Sequence, residues 1–161
     1  MDLGELVRAV VSDFREQALV ASSDVQVCVE GDAKGIWDAH HLEQVVSNLL
    51  SNALKYGAGL PIELAVRGLG ESVQLSVHDR GIGVATYDAE RIFGRFERAA
   101  PVQNYGGLGL GLYIARHIVQ AHGGTIRVLN PTDDGATFLV ELPRHPAASH
   151  AGPQHLQADK A

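Results

Sequence analysis

The sequence predicts a single domain of the α/β class, and three observations predict it. Three stretches carry apolar residues at helical spacing, and they are interleaved with about five stretches of apolar–polar alternation. The 161 residues, 45% of them apolar and 20% charged, suffice for one well-buried core and are ordinary for a soluble globular chain. Glycine clusters punctuate the pattern, one directly after a strand and one at the start of a helix.

The elements follow in order. Leu3 to Leu19 has helical spacing of Leu3, Leu6, Val7, Val10, Val11 and Phe14, with arginine and glutamate between them. Val25 to Glu30 alternates as a strand, and Gly35 to Asp38 is expected as a short second one. A central helix runs from about Ala39 to Tyr56 and stops at Gly57-Ala58-Gly59. Ile62 to Arg67 and Val73 to Val77 are strands, joined as a hairpin through Gly68-Leu69-Gly70. From Arg80 to Gly106 the pattern is irregular, apart from a short amphipathic piece around Asp88 to Phe93. A third helix spans about Gly109 to Ala121 and ends at Gly123-Gly124. Ile126 to Leu129 and Ala136 to Leu142 form a closing hairpin around Pro131 to Gly135. Beyond Pro143 the composition turns to histidine, proline, alanine and glutamine, so the expected division is a domain over 1–144 and a disordered tail over 145–161. No internal repeat is present.

Composition excludes several classes of function. A net charge of −6 argues against nonspecific binding to nucleic acid or to an acidic membrane surface. No apolar run approaches the roughly 18 residues a membrane span needs, and no signal-peptide pattern opens the chain. The single cysteine, Cys28, rules out an internal disulfide and a cysteine-cluster metal site. Its place in V-Q-V-C-V-E makes a core strand residue the expected reading, and a reducing, cytoplasmic setting fits. The eight histidines form no ligand set.

The most informative stretch is V-S-N-L-L-S-N-A-L-K-Y, Val46 to Tyr56. On a helix, Asn48, Asn52, Lys55 and Tyr56 lie at i, i+4, i+7 and i+8, within roughly one quadrant of the surface. Leu42, Val45, Val46, Leu49 and Ala53 occupy the adjacent face, the one expected to meet the core. Amide oxygens suit a hard cation such as Mg²⁺, lysine suits phosphate, and an aromatic ring suits a base. That combination is the equipment of a nucleotide site.

The glycine clusters extend the argument. Asp79-Arg80-Gly81-Ile82-Gly83 follows a strand, and it reads either as a plain strand-exit turn or as a carboxylate for an exocyclic amine with glycines that admit a flat ligand. Gly106-Gly107-Leu108-Gly109-Leu110-Gly111-Leu112 opens a helix, and it reads either as tight packing or as a set of backbone donors for an anion. No G-x-x-x-x-G-K-[ST] occurs, and Thr86 and Leu112 stand where a G-x-G-x-x-G fingerprint would need its third glycine. His78-Asp79-Arg80 is not the H-R-D of protein kinases, and there is no D-F-G.

Taken together, these pieces resemble the catalytic, ATP-binding domain of two-component sensor histidine kinases, within the superfamily of gyrase B, MutL and Hsp-type ATPases. The N box is matched by Asn48 to Tyr56, the first glycine box by Asp79 to Gly83, and the F box by Ile92 to Arg98. The second glycine box is matched by Gly106 to Leu112, and the closing G-[TA]-x-F by Gly135-Ala136-Thr137-Phe138. The likeness covers about Leu3 to Pro143. It implies a two-layer α/β sandwich of the Bergerat-type ATP-binding fold, a mixed sheet of about five strands under three helices.

Position by position, the resemblance implies that Asp79 holds the adenine amino group and that Thr137 supports the ring. Tyr56 would border the base or ribose, and Asn52 would give its oxygen to Mg²⁺ with Asn48 as a second or water-mediated ligand. Lys55 would reach the phosphates, and Gly107, Gly109 and Gly111, with Leu108 and Leu110 between them, would present backbone donors. Gly81 and Gly83 would line the base pocket. The segment 84–105 would be a lid, pinned by Phe93 and Phe96, with Arg98 at the terminal phosphate; Phe93 and Phe96 also read simply as core, and Arg95 as part of a solvated face.

The first N-box position decides the branch. Hydrolysing members of the superfamily generally carry a glutamate there, whereas Asn48 cannot take a proton. Glu43 and Glu97 are the carboxylates that could substitute. Catalytic roles are therefore assigned to Asn48, Lys55 and Arg98, in transfer to a histidine on a partner domain. None of the eight histidines lies in H-E-[LM]-R-[TN]-P, so the acceptor, the dimerising hairpin and the sensor are expected elsewhere in a longer kinase, for which an inner-membrane anchor is one expectation and a cytoplasmic place for this domain the other. The implied partners are that dimerisation and phosphotransfer domain and a response regulator. A regulatory ATP-binding module without transfer and a weak ATPase are the alternatives.

Overall fold

The computed structural model describes residues 1–57, 59–84, 88–94, 110–129 and 135–147. Five strands, β1 (Val25–Glu30), β2 (Ile62–Leu69), β3 (Ser72–His78), β4 (Thr125–Leu129) and β5 (Thr137–Pro143), form one mixed sheet in the order β1-β2-β3-β5-β4. β1 pairs parallel with β2, and every other pair is antiparallel. A parallel neighbour needs a crossover, and helix α3 (Ala39–Tyr56) supplies it between β1 and β2. The helices α1 (Leu3–Asp13), α2 (Arg15–Val20) and α4 (Gly111–Ala121) complete the second layer.

One sheet face is apolar because every second residue is. Ile62, Leu64 and Val66 of β2, Val73, Leu75 and Val77 of β3, and Phe138, Val140 and Leu142 of β5 are all buried. Against them pack Leu3, Val7 and Val10 of α1, Leu42, Val45, Val46, Leu49, Leu50 and Ala53 of α3, and Ala115 and Val119 of α4. The predicted core face of the central helix is therefore the one that is buried, and the helix keeps its predicted bounds. Asp38 starts it, its carboxylate accepting the His41 N–H at 3.0 Å.

Four expectations change. The predicted helix Leu3 to Leu19 is two, broken at Phe14, because beyond that residue the apolar spacing lapses and α2 buries no side chain. The β2–β3 connection is Gly70-Glu71 rather than Gly68-Leu69-Gly70, since Leu69 still pairs with Ser72 and Gly70 takes the left-handed φ of +57°. Cys28 is exposed, not core: Val25, Val27 and Val29 are the inward set of β1, so period two turns the thiol outward, 4.0 Å from the Glu30 carboxylate. Gly35 to Asp38 is not a strand.

That last segment is instead tied down by side chains. The Arg144 guanidinium donates to the carbonyls of Gly70 at 2.6 Å, Lys34 at 2.6 Å and Asp32 at 2.7 Å, so one residue ties the β1–α3 loop to the β2–β3 turn. Trp37 Nε1 donates to the Pro143 carbonyl at 2.7 Å, and the Ile36 N–H to that of Arg144 at 2.8 Å. Replacing Arg144 by alanine leaves three carbonyls without their charged donor and should cost roughly 3 kcal/mol of stability. Urea denaturation checks this, and Arg144→Lys should recover only part, because a point charge cannot serve three divergent carbonyls.

Candidate functional site

Helix α3 places Asn48 and Asn52 half-buried beside its core face, with Tyr56 half-buried and Lys55 exposed at its end. Asn48 has a fixed amide orientation: its Nδ2 donates to the Gly111 carbonyl at 3.1 Å, and since a carbonyl only accepts, Oδ1 is turned away from that bond. Asn48 therefore staples α3 to the first residue of α4. A second staple joins the opposite ends of the same helices. His122 Nδ1 donates to the Ile118 carbonyl at 2.8 Å, while Nε2 accepts the Asp38 N–H at 3.2 Å. The two helices run antiparallel, with the start of α3 held to the end of α4 and the middle of α3 held to the start of α4. The His41 N–H that caps α3, chiefly, holds the Asp38 carboxyl below its usual range.

Asp79 is the other centre of the site. It leaves β3 only 2% exposed, its N–H donating to the Ala136 carbonyl at 3.0 Å and its Oδ1 accepting the Gly81 N–H at 3.0 Å. Burial pushes its carboxyl above the ordinary value, and the backbone donors of Gly81 and Ala136 and the charge of His78 act against that rise.

Glycines around Asp79 are demanded by the protein's own backbone. A Cβ on Gly81 would overlap the Tyr56 carbonyl, and one on Gly135, at φ +86°, would overlap the Asp79 carbonyl. Gly83 takes φ +70°, with a Cβ site 3.1 Å from the Gly135 carbonyl oxygen. The Ile82 N–H reaches the Tyr56 carbonyl at 3.4 Å. The end of α3, the Asp79 loop and the start of β5 thus meet backbone to backbone, and Tyr56 and Asp79 are brought to one place. Read from sequence, these glycines admit a ligand; in the structure they first admit one another.

Thr137 is not brought to Asp79. Antiparallel register pairs it with His78, and its Oγ1 lies 2.8 Å from His78 Nδ1. Phe138 of the same strand is buried in the core, so Thr137 faces the outer side of the sheet. The residue opposite Asp79 is Ala136, itself buried. Ala136 was legible in the closing motif, whose second position it fills, and His78 in the alternation of β3.

The described part of the predicted lid is anchored. Asp88 is buried and paired with Arg91 at 2.8 Å, and Ile92 and Phe93 belong to the core. Phe93 meets Phe138 edge-on at 6.1 Å between centroids, and the Arg116 guanidinium lies 5.6 Å over the Phe93 ring. Phe93 is thus a core residue that also pins the segment. Leu110 precedes α4 without capping it by a side chain. Phe96, Arg98, Gly107, Leu108 and Gly109, like Arg95 and Glu97, lie outside the described residues, as do most of the predicted lid and positions 148–161 of the predicted tail.

Among the described residues no group of three or more His, Cys, Asp or Glu could hold a metal, and no helix is long and apolar enough to cross a membrane. Amide oxygens at Asn48 and Asn52 suit a cation that takes one or two protein ligands and completes its shell with water and phosphate, which is the habit of Mg²⁺.

A family model described as "Histidine kinase-, DNA gyrase B-, and HSP90-like ATPase" matches residues 37–146. The sensor-like histidine kinase SenX3 of Mycolicibacterium smegmatis is 33% identical over 162 residues, covering 96% of this chain and 42% of that protein. The chain therefore spans less than half the length of that relative. The solved catalytic domain of histidine kinase ThkA matches with a TM-score of 0.81 at 28% identity, over 91% of this chain and 95% of that one. ThkA solved in complex with the response regulator protein TrrA matches at 26% identity and a TM-score of 0.76, over 91% of this chain and 41% of that one. Full-length ShkA, solved in complex with AMPPNP, matches at 28% identity and a TM-score of 0.76, over 92% of this chain and 31% of that one. With a family model over more than half of its length and a solved catalytic domain superposing on most of the rest, the chain belongs to the histidine kinase-, DNA gyrase B- and HSP90-like ATPase family, as an ATP-binding catalytic domain of the sensor-histidine-kinase kind.

Proposed function

We propose that this domain holds Mg·ATP between α3, the Asp79 loop and the start of α4, and delivers the γ-phosphate to a histidine on a separate dimerisation and phospho-acceptor domain. The observation that carries the reading is the Asp79 carboxylate, buried at a sheet end, where the Gly81 N–H only partly repays its loss of water and a donor from a ligand would add to it. Asp79 takes the exocyclic amine of adenine, and Tyr56 borders the base or ribose beside the backbone of Gly81 and Gly83. Asn52, with the oxygen that Asn48 keeps free of Gly111, faces the cation, and Lys55 faces the phosphates. Bound Mg²⁺ would neutralise charge on the phosphate chain.

Outside the described residues, the resemblance supports backbone donors at Gly107 and Gly109 continuing to Leu110 and Gly111, Phe96 against the base, and Arg98 at the terminal phosphate. The likeness to ThkA, solved with a response regulator, supports such a regulator as the downstream partner. Asn48 itself cannot take a proton from water, which favours transfer over hydrolysis.

Calorimetry of Mg·ATP binding tests the site. The intact chain should bind, and Asp79→Asn should weaken binding at least about tenfold, which is ~1.4 kcal/mol. Equal binding by the two would remove the adenine assignment. For the reaction, labelled ATP and a purified acceptor-helix domain should give acid-labile label on histidine only when both are present. Phosphate release without acceptor would instead mark an ATPase.

Asp79→Asn should also separate binding from stability. The folded protein holds a proton on Asp79 more readily than the unfolded chain does, so its ionised form is a net cost that is absent below the ordinary value of 3.8 and present above the raised folded value. The substituted chain should therefore melt higher than the parent at pH 7, with the gain fading as pH falls towards 3.8. Thermal melts across that range check the sign, and a gain that grows on acidification would refute it.

A further inference from the structure

We propose that His78 is a positioning residue for base recognition: its bond to Thr137 on the outer face of the sheet fixes the last β3–β5 rung and, through it, the direction of the Asp79 carboxylate. The inference rests on the reading of Asp79 as the adenine ligand, and it names a residue on the side of the sheet remote from the nucleotide.

The register makes the argument. His78 pairs with Thr137, and the next pair, Asp79 with Ala136, is where β3 leaves the sheet. Strand ends fray unless tied, and a carboxylate must be aimed to within a few tenths of an ångström to read one amine. Here the tie is a side-chain bond, His78 Nδ1 to Thr137 Oγ1 at 2.8 Å, one residue before Asp79 and partly shielded from water. Beyond it the Asp79 N–H reaches the Ala136 carbonyl at 3.0 Å, and Gly135 lies too close to the Asp79 carbonyl to accept a side chain. A shift at the His78–Thr137 rung is therefore passed directly to Asp79, because no slack separates the two backbones. Strand alternation keeps both side chains off the Asp79 face, so they act on the base only through the backbone.

The readout is base selectivity, the ratio of ATP to GTP affinity in the full chain, which a general loosening of the fold would not move. His78→Val and Thr137→Val each remove the bond and keep a β-branched strand residue, and each should lower the ratio about fivefold. The double variant should be no worse than either single one. His78→Asn, whose amide nitrogen or oxygen takes the place of Nδ1, should restore the ratio to within about twofold. An unchanged ratio in both valine variants, in a background where Asp79→Asn loses selectivity, overturns the inference and leaves the adenine site standing. Additive losses in the double variant overturn it too, since Thr137 would then touch the nucleotide itself. Selectivity retained by Asp79→Asn would sink the adenine reading and this inference together.

Discussion

A carboxylate buried at the end of a strand is the constraint that organises this domain. Asp79 gives up water, and no cationic side chain is paired with it among the described residues. The local backbone is built to tolerate that. Gly81 closes a two-residue turn onto the carboxylate and lies flat against the end of α3, while Gly135 lies against the Asp79 carbonyl. A side chain at either glycine would push apart the three segments that enclose the acid. The acid is thus held ready for a ligand at a standing cost in stability, a pattern expected of a binding site and not of a core.

Helix α3 carries the second half of the same design. Its buried stripe fixes it to the sheet, which leaves Asn48, Asn52 and Lys55 on one shoulder. That shoulder has a defined relation to α4 because the helices are joined at two distant points, Asn48 to Gly111 and Asp38 to His122. The amide proposed to face the cation on one side holds the start of α4 on the other. Movement of α4 would therefore be felt at Asn48 before it reached any other group of the N box.

Much of this was legible in the sequence, and what was not has definite physical causes. α3 was readable from about Ala39 to Tyr56 because glycines close it and its apolar period never slips, while the aspartate that opens it was read as the end of a strand. Cys28 was misplaced because V-Q-V-C-V-E contains two interleaved sets, and an apolar-looking residue in the polar set still points outward. The break at Phe14 depends on what α2 has to pack against, and the clamp by Arg144 joins positions 74 and more residues apart, which no local pattern records. Thr137 illustrates a finer limit. Its chemistry suited the base, but strand parity gives that face to Ala136 and sends the hydroxyl to His78.

Parity and helical phase also bear on the proposed choice between transfer and hydrolysis. A hydrolase needs a base beside the attacking water, and the proposed function puts Asn48 in that place, its donor committed to Gly111 and only an amide oxygen left over. Glu43 stands five residues earlier, about 140° around the helix, so it cannot reach the same side. Asp88 is buried in its pair with Arg91, and Glu90 is paired with Arg116. Asp79 is committed to Gly81 at the far end of the α3 shoulder. Each described carboxylate near the site is out of phase or already engaged. A γ-phosphate held here would be slow to meet activated water, and an imidazole brought in by another domain needs no base to be nucleophilic. On the proposed reading, the asparagine that disfavours hydrolysis is the same residue that joins the two helices, so the restraint on ATP and the geometry that would present it have one origin.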